Sequence, residues 1–329
     1  MDTIGTLEIH PRARPGGAGY TAAGSLPVGL LLRALADARA QGYREVVFAG
    51  EEPLLYKALP SLLARARKLG MSRTLQTCGA QLDSHRLLAL AGLEFVWVAV
   101  DAHMGGACPR GYRGWDTESL VERLRGLSDL GIPFGLTTTC TGGLRSLVGV
   151  AGVAMDCGAE RLRVDTSGGA GLDSRIQALI AAMQLVAYFG DRLTIELDGF
   201  DCAEITASVL PIHGEALPSL DEAPDAMLAE LVDRLIIRGD GVVVPRHLED
   251  EARLGDLCQM SLDGLVERWL SGDYDRFRAR CRWVLGRVMS REDVMILEEY
   301  RELVSGFEAC RTGVSGLREP VGQGADPQR

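Results

Sequence analysis

Two pairs of side chains sit where proton transfer could be carried out. Asp101 and His103 follow the apolar run Phe95 to Val100 at an i, i+2 spacing. A carboxylate and an imidazole at the C-terminal end of a strand make an acid/base couple if that strand belongs to a barrel, whose chemistry lies at that end. The same spacing also suits the capping of a loop. Glu8 and His10 repeat the arrangement on the first apolar stretch, Leu7-Glu8-Ile9. Thiol chemistry has less support. The eight cysteines, at 78, 108, 140, 157, 202, 258, 281 and 310, are never closer than 17 residues, so no CxxC pair exists. The five histidines (10, 85, 103, 213 and 247) form no HxH or HExxH pair. This is the pattern of buried free thiols in a reducing compartment, with a site assembled from distant ligands left open. The turn Ser167-Gly168-Gly169-Ala170-Gly171 lacks bulky side chains; it reads as a loop or as a point of close approach to an adenine or phosphate.

The elements that would position these residues alternate regularly. Pro27 to Ala40 reads as a helix with Pro at its start and Gly42 beyond its end. Strands follow at 45–50, 72–77, 95–100, 133–139, 161–165 and 193–197, with helices at 54–70, 84–92, 117–131, 144–156 and 174–189. The run at 95–100 is entirely apolar, as in a strand buried on both faces. With Leu7–Ile9 this makes seven strands separated by helices, hence parallel βα units with right-handed crossovers. No GxGxxG occupies the first turn, so a dinucleotide fold has no positive support. After Leu197 the rhythm breaks. Residues 198–226 read as a linker, and a second module has a helix over 225–234, a strand pair over 235–245 around Gly239-Asp240-Gly241, and further helices to about 308. Residues 309–329 read as a disordered tail. The expected organisation is a β/α barrel over 1–197, the linker, an extension over 227–308 and the tail.

Composition narrows the function classes. The chain has 329 residues, 47% of them hydrophobic and 24% charged, ordinary values for a globular protein. A formal net charge of −10 argues against a general nucleic-acid partner. No apolar run approaches the ~18 residues of a membrane span, so a cytoplasmic protein without a membrane partner is expected.

The order of local motifs resembles the radical S-adenosylmethionine (radical SAM) superfamily. The carriers are FAGEEPLL (48–55), LQTCGAQL (75–82), VAVDAH (98–103) and the stretch from PRGYRGW (109–115) to GLTTT (135–139). IRGDGVVVP (237–245) and LGDLCQMSLDGLVERWL (254–270) resemble a SPASM extension. The resemblance implies an α/β fold: a full or partial (β/α) TIM-like barrel with a small α+β C-terminal extension. It also implies a cofactor segment at Gly50, Glu51, Glu52 and Pro53, with Thr138 and Arg163 placed to contact carboxylate and ribose. Asp101 and His103 would stand at the catalytic mouth.

The departures are decisive. The family's three cluster cysteines, counted back from Tyr20, fall on Arg12, Gly16 and Gly19. Arginine and glycine supply no thiolate, so a [4Fe–4S] cluster is not expected there. S-adenosylmethionine itself is left open as a ligand, because Glu51 replaces a glycine and would close the site if it paired with Arg163. A pseudoenzyme follows as the first reading: a binding scaffold for a peptide or for a protein partner such as an active radical SAM enzyme. The hairpin 235–245 would offer an edge for strand addition. The alternatives are a repurposed barrel enzyme doing polar chemistry and an iron–sulfur protein with dispersed ligands.

Overall fold

Short runs rich in Val, Ile, Leu and Thr form the strands, and longer stretches with apolar residues three or four apart form the helices between them. The computed structural model describes residues 5–12, 24–82, 90, 92–100, 117–140, 143–165, 172–198, 220, 226–245 and 253–279. In chain order these give β1 (Thr6–Ile9), α1 (Val28–Ala40), β2 (Glu45–Phe48), a 3-10 turn (Pro53–Leu55), α2 (Leu59–Lys68), β3 (Ser72–Thr77) and β4 (Phe95–Ala99). They continue with α3 (Thr117–Asp129), β5 (Phe134–Thr139), α4 (Leu144–Asp156), β6 (Arg161–Asp165), α5 (Leu172–Phe189) and β7 (Thr194–Asp198). The last described elements are α6 (Leu228–Leu231), β8 (Arg234–Ile237), β9 (Val242–Pro245), β10 (Gly255–Asp256) and α7 (Leu262–Gly272).

All ten strands join one sheet in the order β10-β9-β8-β1-β2-β3-β4-β5-β6-β7. From β8 through β1 to β7 every pairing is parallel. The order of β1 to β7 follows the chain without a reversal, so the sheet is singly wound: a partial β/α barrel, with no doubly wound switch point. Among the described residues β7 and β10 are not paired with each other, so the sheet is open between them.

Register fixes what each face carries. Leu7, Val46, Leu75, Val96, Leu136 and Leu162 all point to one side, where they are buried with Leu31 and Leu35 of α1, Leu62 of α2 and Leu147 of α4. The other face carries Glu8, Gln76, Trp97, Thr137, Arg163 and Glu196 at the alternate positions. β4 is apolar and buried on both sides as its sequence suggests, with Val96 and Val98 on one face and Trp97 on the other. Its Trp97 lies under the Arg163 guanidinium, 4.1 Å from the ring centroid, and Phe95 under that of Arg161 at 5.2 Å. Both pairs are cation–π contacts on the polar face.

That stack dictates a glycine on β5. Gly135 pairs with both Trp97 and Arg161. A Cβ there would lie 2.6 Å from Trp97 Cζ3 and 2.9 Å from the Arg161 carbonyl oxygen. Gly135→Ala should therefore destabilise the chain by about 1–3 kcal/mol through overpacking, read from urea unfolding. An unchanged midpoint would show that Trp97 can move aside at no cost.

Several boundaries differ from the sequence reading for identifiable reasons. The helix expected over 54–70 is split. Glu52 caps a 3-10 turn at Pro53–Leu55, Tyr56 is extended, and α2 begins only at Leu59 with Pro60 in its first turn. The helix expected over 225–234 is the four-residue α6, because Arg234 is already a strand residue paired with Thr6. The hairpin is not a free ribbon. β8 is paired with β1 on one side, β9 is covered at Val242 and Val243 by β10, and Val243 and Val244 are fully buried. Among the described residues the edge expected for strand addition is therefore taken on the β8 side by β1 and at Val242 and Val243 by β10. The helix expected over 84–92 and the segments 198–219 and 280–329 lie outside the described residues apart from single positions. Among the described residues no helix is long and apolar enough to cross a membrane.

Candidate functional site

The C-terminal ends of β1, β2 and β3 meet around the segment Gly50–Pro53. Ala49 N donates to the Ile9 carbonyl at 3.0 Å, which holds the segment beside the end of β1. Gly50 has φ +87°, and a Cβ on it would lie 2.7 Å from His10 Cγ. Glycine is required here by conformation and by the imidazole beside it. Glu52 is 6% exposed. Its Oε1 accepts hydrogen bonds from Leu54 N at 3.1 Å and Thr77 Oγ1 at 2.7 Å, and its Oε2 accepts one from Cys78 N at 2.9 Å. The carboxylate thus ties the segment to the end of β3 and caps the turn that follows. Pro53, buried, fixes φ at the first residue of that turn.

The other expected site residues do not converge on this segment. Thr137 pairs with Arg163 and Thr138 with Val164. Arg163 therefore stands on the polar face while Thr138, 4% exposed, stands on the helix-covered face. One cavity cannot be lined by both. Arg163 donates to Glu196 Oε2 from Nε at 3.1 Å and Nη2 at 2.8 Å, in addition to its stack on Trp97. The pairing with half-buried Glu51 that would have closed the site is not formed. Arg161 donates to the other Glu196 oxygen at 3.2 Å, so one carboxylate bridges two arginines. Asp101 and His103, and the turn 167–171, lie outside the described residues.

The loop that would hold an iron–sulfur cluster keeps its closed base. Arg12 forms an antiparallel bridge with Ser25, and Leu26 N donates to the Pro11 carbonyl at 3.0 Å. Tyr56 OH donates to the Leu26 carbonyl at 2.7 Å and pins the exit. The donor set does not fit the cluster: the chain has no cysteine before Cys78, and Arg12 is part of the bridge. Among the described residues no group of three Cys, His, Asp or Glu side chains is placed to hold a metal ion. Burial pushes the Cys140 and Cys157 thiols up, and burial followed by the Asp256 carboxylate does the same to Cys258. These thiols are held away from the thiolate form that iron needs.

A charged cluster stands at the end of β1. Glu8 Oε1 lies 2.7 Å from His10 Nε2, and Glu8 Oε2 accepts from Arg234 Nη2 at 2.6 Å and Nε at 3.1 Å. Burial alone would raise the Glu8 carboxyl, but the His10 hydrogen bond and the Arg234 charge outweigh it and hold the group at about 2. The sequence pointed to Glu8 and His10 but not to Arg234 or Glu196. The available signal was a charged residue inside an otherwise apolar strand, which occurs at Glu8, Arg163, Glu196 and Arg234.

The site therefore lies on a singly wound partial β/α barrel with a Gly-Glu-Pro-type segment after its second strand. Residues 13–146 match the model of the Radical SAM superfamily. Among curated relatives it is 37% identical over 84 residues to an S-adenosylmethionine-dependent nucleotide dehydratase of Lacinutrix mariniflava, covering 25% of this chain and 18% of that one. It is 31% identical over 183 residues to the PqqA peptide cyclase of Xanthomonas euvesicatoria, covering 50% and 48%. The matches thus span less than half the length of these relatives. Streptococcus suis SuiB, solved bound to the precursor peptide SuiA, superposes with a TM-score of 0.60 at 16% identity over 84% of this chain and 67% of that one. SuiB bound to S-adenosylmethionine also gives 0.60, at 14% identity over 84% and 68%. At such identities the likeness is one of fold.

Proposed function

We propose that the chain is a non-radical relative of the peptide-modifying radical SAM enzymes, retained as a scaffold that binds a peptide or a partner enzyme. The observation that carries this reading is the loop from Arg12 to Ser25. Its base is still closed, but none of its residues offers a thiolate. Architecture kept without its chemistry is what a binding role requires. The peptide class is supported by the names of the relatives: a PqqA peptide cyclase, and SuiB in complex with a precursor peptide. The polar face offers an extended ligand the guanidinium groups of Arg161 and Arg163, stacked on Phe95 and on buried Trp97. The module from Arg234 onward, which resembles a SPASM extension, serves in this reading to complete the sheet beside β1.

The test has two arms. Anaerobically reconstituted protein given S-adenosylmethionine and dithionite should yield no 5′-deoxyadenosine and hold no stoichiometric iron. Turnover, or about four irons per chain, would overturn the non-radical reading. In the second arm, peptides captured from host extract by the full chain are compared with those captured by Arg163→Glu. One defined peptide retained by the native form and lost by the variant is expected; capture that ignores the substitution would remove the Arg163 guanidinium from the binding surface. A second reading, polar chemistry at the barrel mouth, is favoured by the Glu8–His10 pair.

A further inference from the structure

Apart from the Gly50–Pro53 segment and the closed loop, the end of β1 has an arrangement of its own. Glu8 is ionised at neutral pH and can only accept hydrogen bonds, so the His10 nitrogen 2.7 Å away, Nε2, must be the one that bears the proton. The lone pair of the neutral ring is then on Nδ1. Among the described residues no hydrogen bond reaches Nδ1, and 26% of the His10 side chain remains exposed. The ring is fixed on its other side by the close approach of Gly50. Arg234 balances the Glu8 charge through two hydrogen bonds, so His10 is not needed to neutralise the carboxylate. What the pairing with His10 achieves is a fixed tautomer whose lone pair no described residue engages, at the C-terminal end of a strand.

We propose that His10 is a general base at the barrel mouth. It would take a proton from an acidic C–H or S–H group of a ligand bound there, with Glu8 and Arg234 as positioning residues. In that step a bond from the ligand's proton to Nδ1 forms, the C–H or S–H bond breaks, and its electron pair stays on carbon or sulfur. The imidazolium that results faces the Glu8 carboxylate and returns its proton to solvent through the exposed edge of the ring. No oxidant, metal or cofactor enters the balance. The proposal does not rest on the scaffold reading, whose test is peptide capture and 5′-deoxyadenosine formation.

The tautomer is read first, by nitrogen-15 spectra of the full-length native protein followed as pH is raised until the His10 signals stop moving. The His10 signals, identified by their loss in His10→Gln, should show a protonated Nε2 and an unprotonated Nδ1. The base is read with 5-nitrobenzisoxazole, whose ring opens when its C–H proton is removed: the C–H pair forms the nitrile and the N–O bond breaks to a phenolate. His10→Gln should slow this opening at least about tenfold, the low end of what a positioned base contributes. Glu8→Gln should slow it less and give a mixture of tautomers, and His85→Gln should leave it unchanged. A protonated Nδ1 in the native protein, or equal ring opening in native and His10→Gln proteins, overturns the proposal. Should Glu8→Gln fail to fold, those two measurements decide without it.

Discussion

Replacing Glu8 with alanine is expected to cost about 3 kcal/mol of stability, the low end of the penalty for removing one partner of a buried ion pair, because this pair is partly exposed. The side chain is 13% exposed, and its loss leaves the Arg234 guanidinium, 20% exposed, without its carboxylate. The same interaction predicts an acid transition. The folded-state value of Glu8 is about 2 against an ordinary value of 4.5, so the unfolded chain takes up the proton first as pH falls. The stability that Glu8 contributes is fully present above pH 4.5 and is lost as pH falls from 4.5 toward 2. It amounts to about 3 kcal/mol. Urea unfolding at several pH values should show native and Glu8→Ala proteins converging at the acid end. A difference that stayed constant across that window would show that Glu8 acts by packing and not by charge.

Glu52→Ala is expected to cost about 4 kcal/mol. The carboxylate holds the buried backbone N–H of Leu54, the half-buried one of Cys78 and the Thr77 hydroxyl. Hydrogen bonds to a charged group contribute about 1.5–3 kcal/mol each, and donors left unpaired in the interior carry their full desolvation cost. The loss should be local in origin. The 3-10 turn at Pro53–Leu55 would lose its cap and the end of β3 its tie, so hydrogen exchange at Leu54 and Cys78 should accelerate before the rest of the sheet. Glu52→Gln keeps the shape but turns an amide toward one of the donors, and should fall between the two. If Glu52→Ala were as stable as the native chain, the segment would be held by backbone contacts alone and its carboxylate would be free for a ligand.

What could be read from sequence follows the range of the interactions involved. The alternation of β and α was legible because it is written in local periodicity and in Gly and Pro punctuation; β3, α4 and β6 have the boundaries expected of them. The start of α2 was not, because it depends on the Glu52 cap, which is held in turn by Thr77, 25 residues away. Facing was out of reach for Thr138 and Arg163. A strand shows its alternation, but which phase points to the helices is set by pairing with its neighbours. The Glu8–Arg234 pair joins residues 226 apart and carries no local signal beyond two charges in apolar strands.

The place of β1 between β2 and β8 bears on the order of events at the ribosome. β2 emerges soon after β1 and can cover one flank within the first 48 residues, but the other flank waits for Arg234–Ile237. At about 5–20 residues per second, the chain spends on the order of ten to fifty seconds with that flank unpaired. A hydrophobic strand with an open ladder is a template for wrong partners. The seven sequential strands can form as they appear, whereas the first strand made is among the last to be sealed, and a chain stopped anywhere before β8 leaves the tunnel with its sticky side exposed.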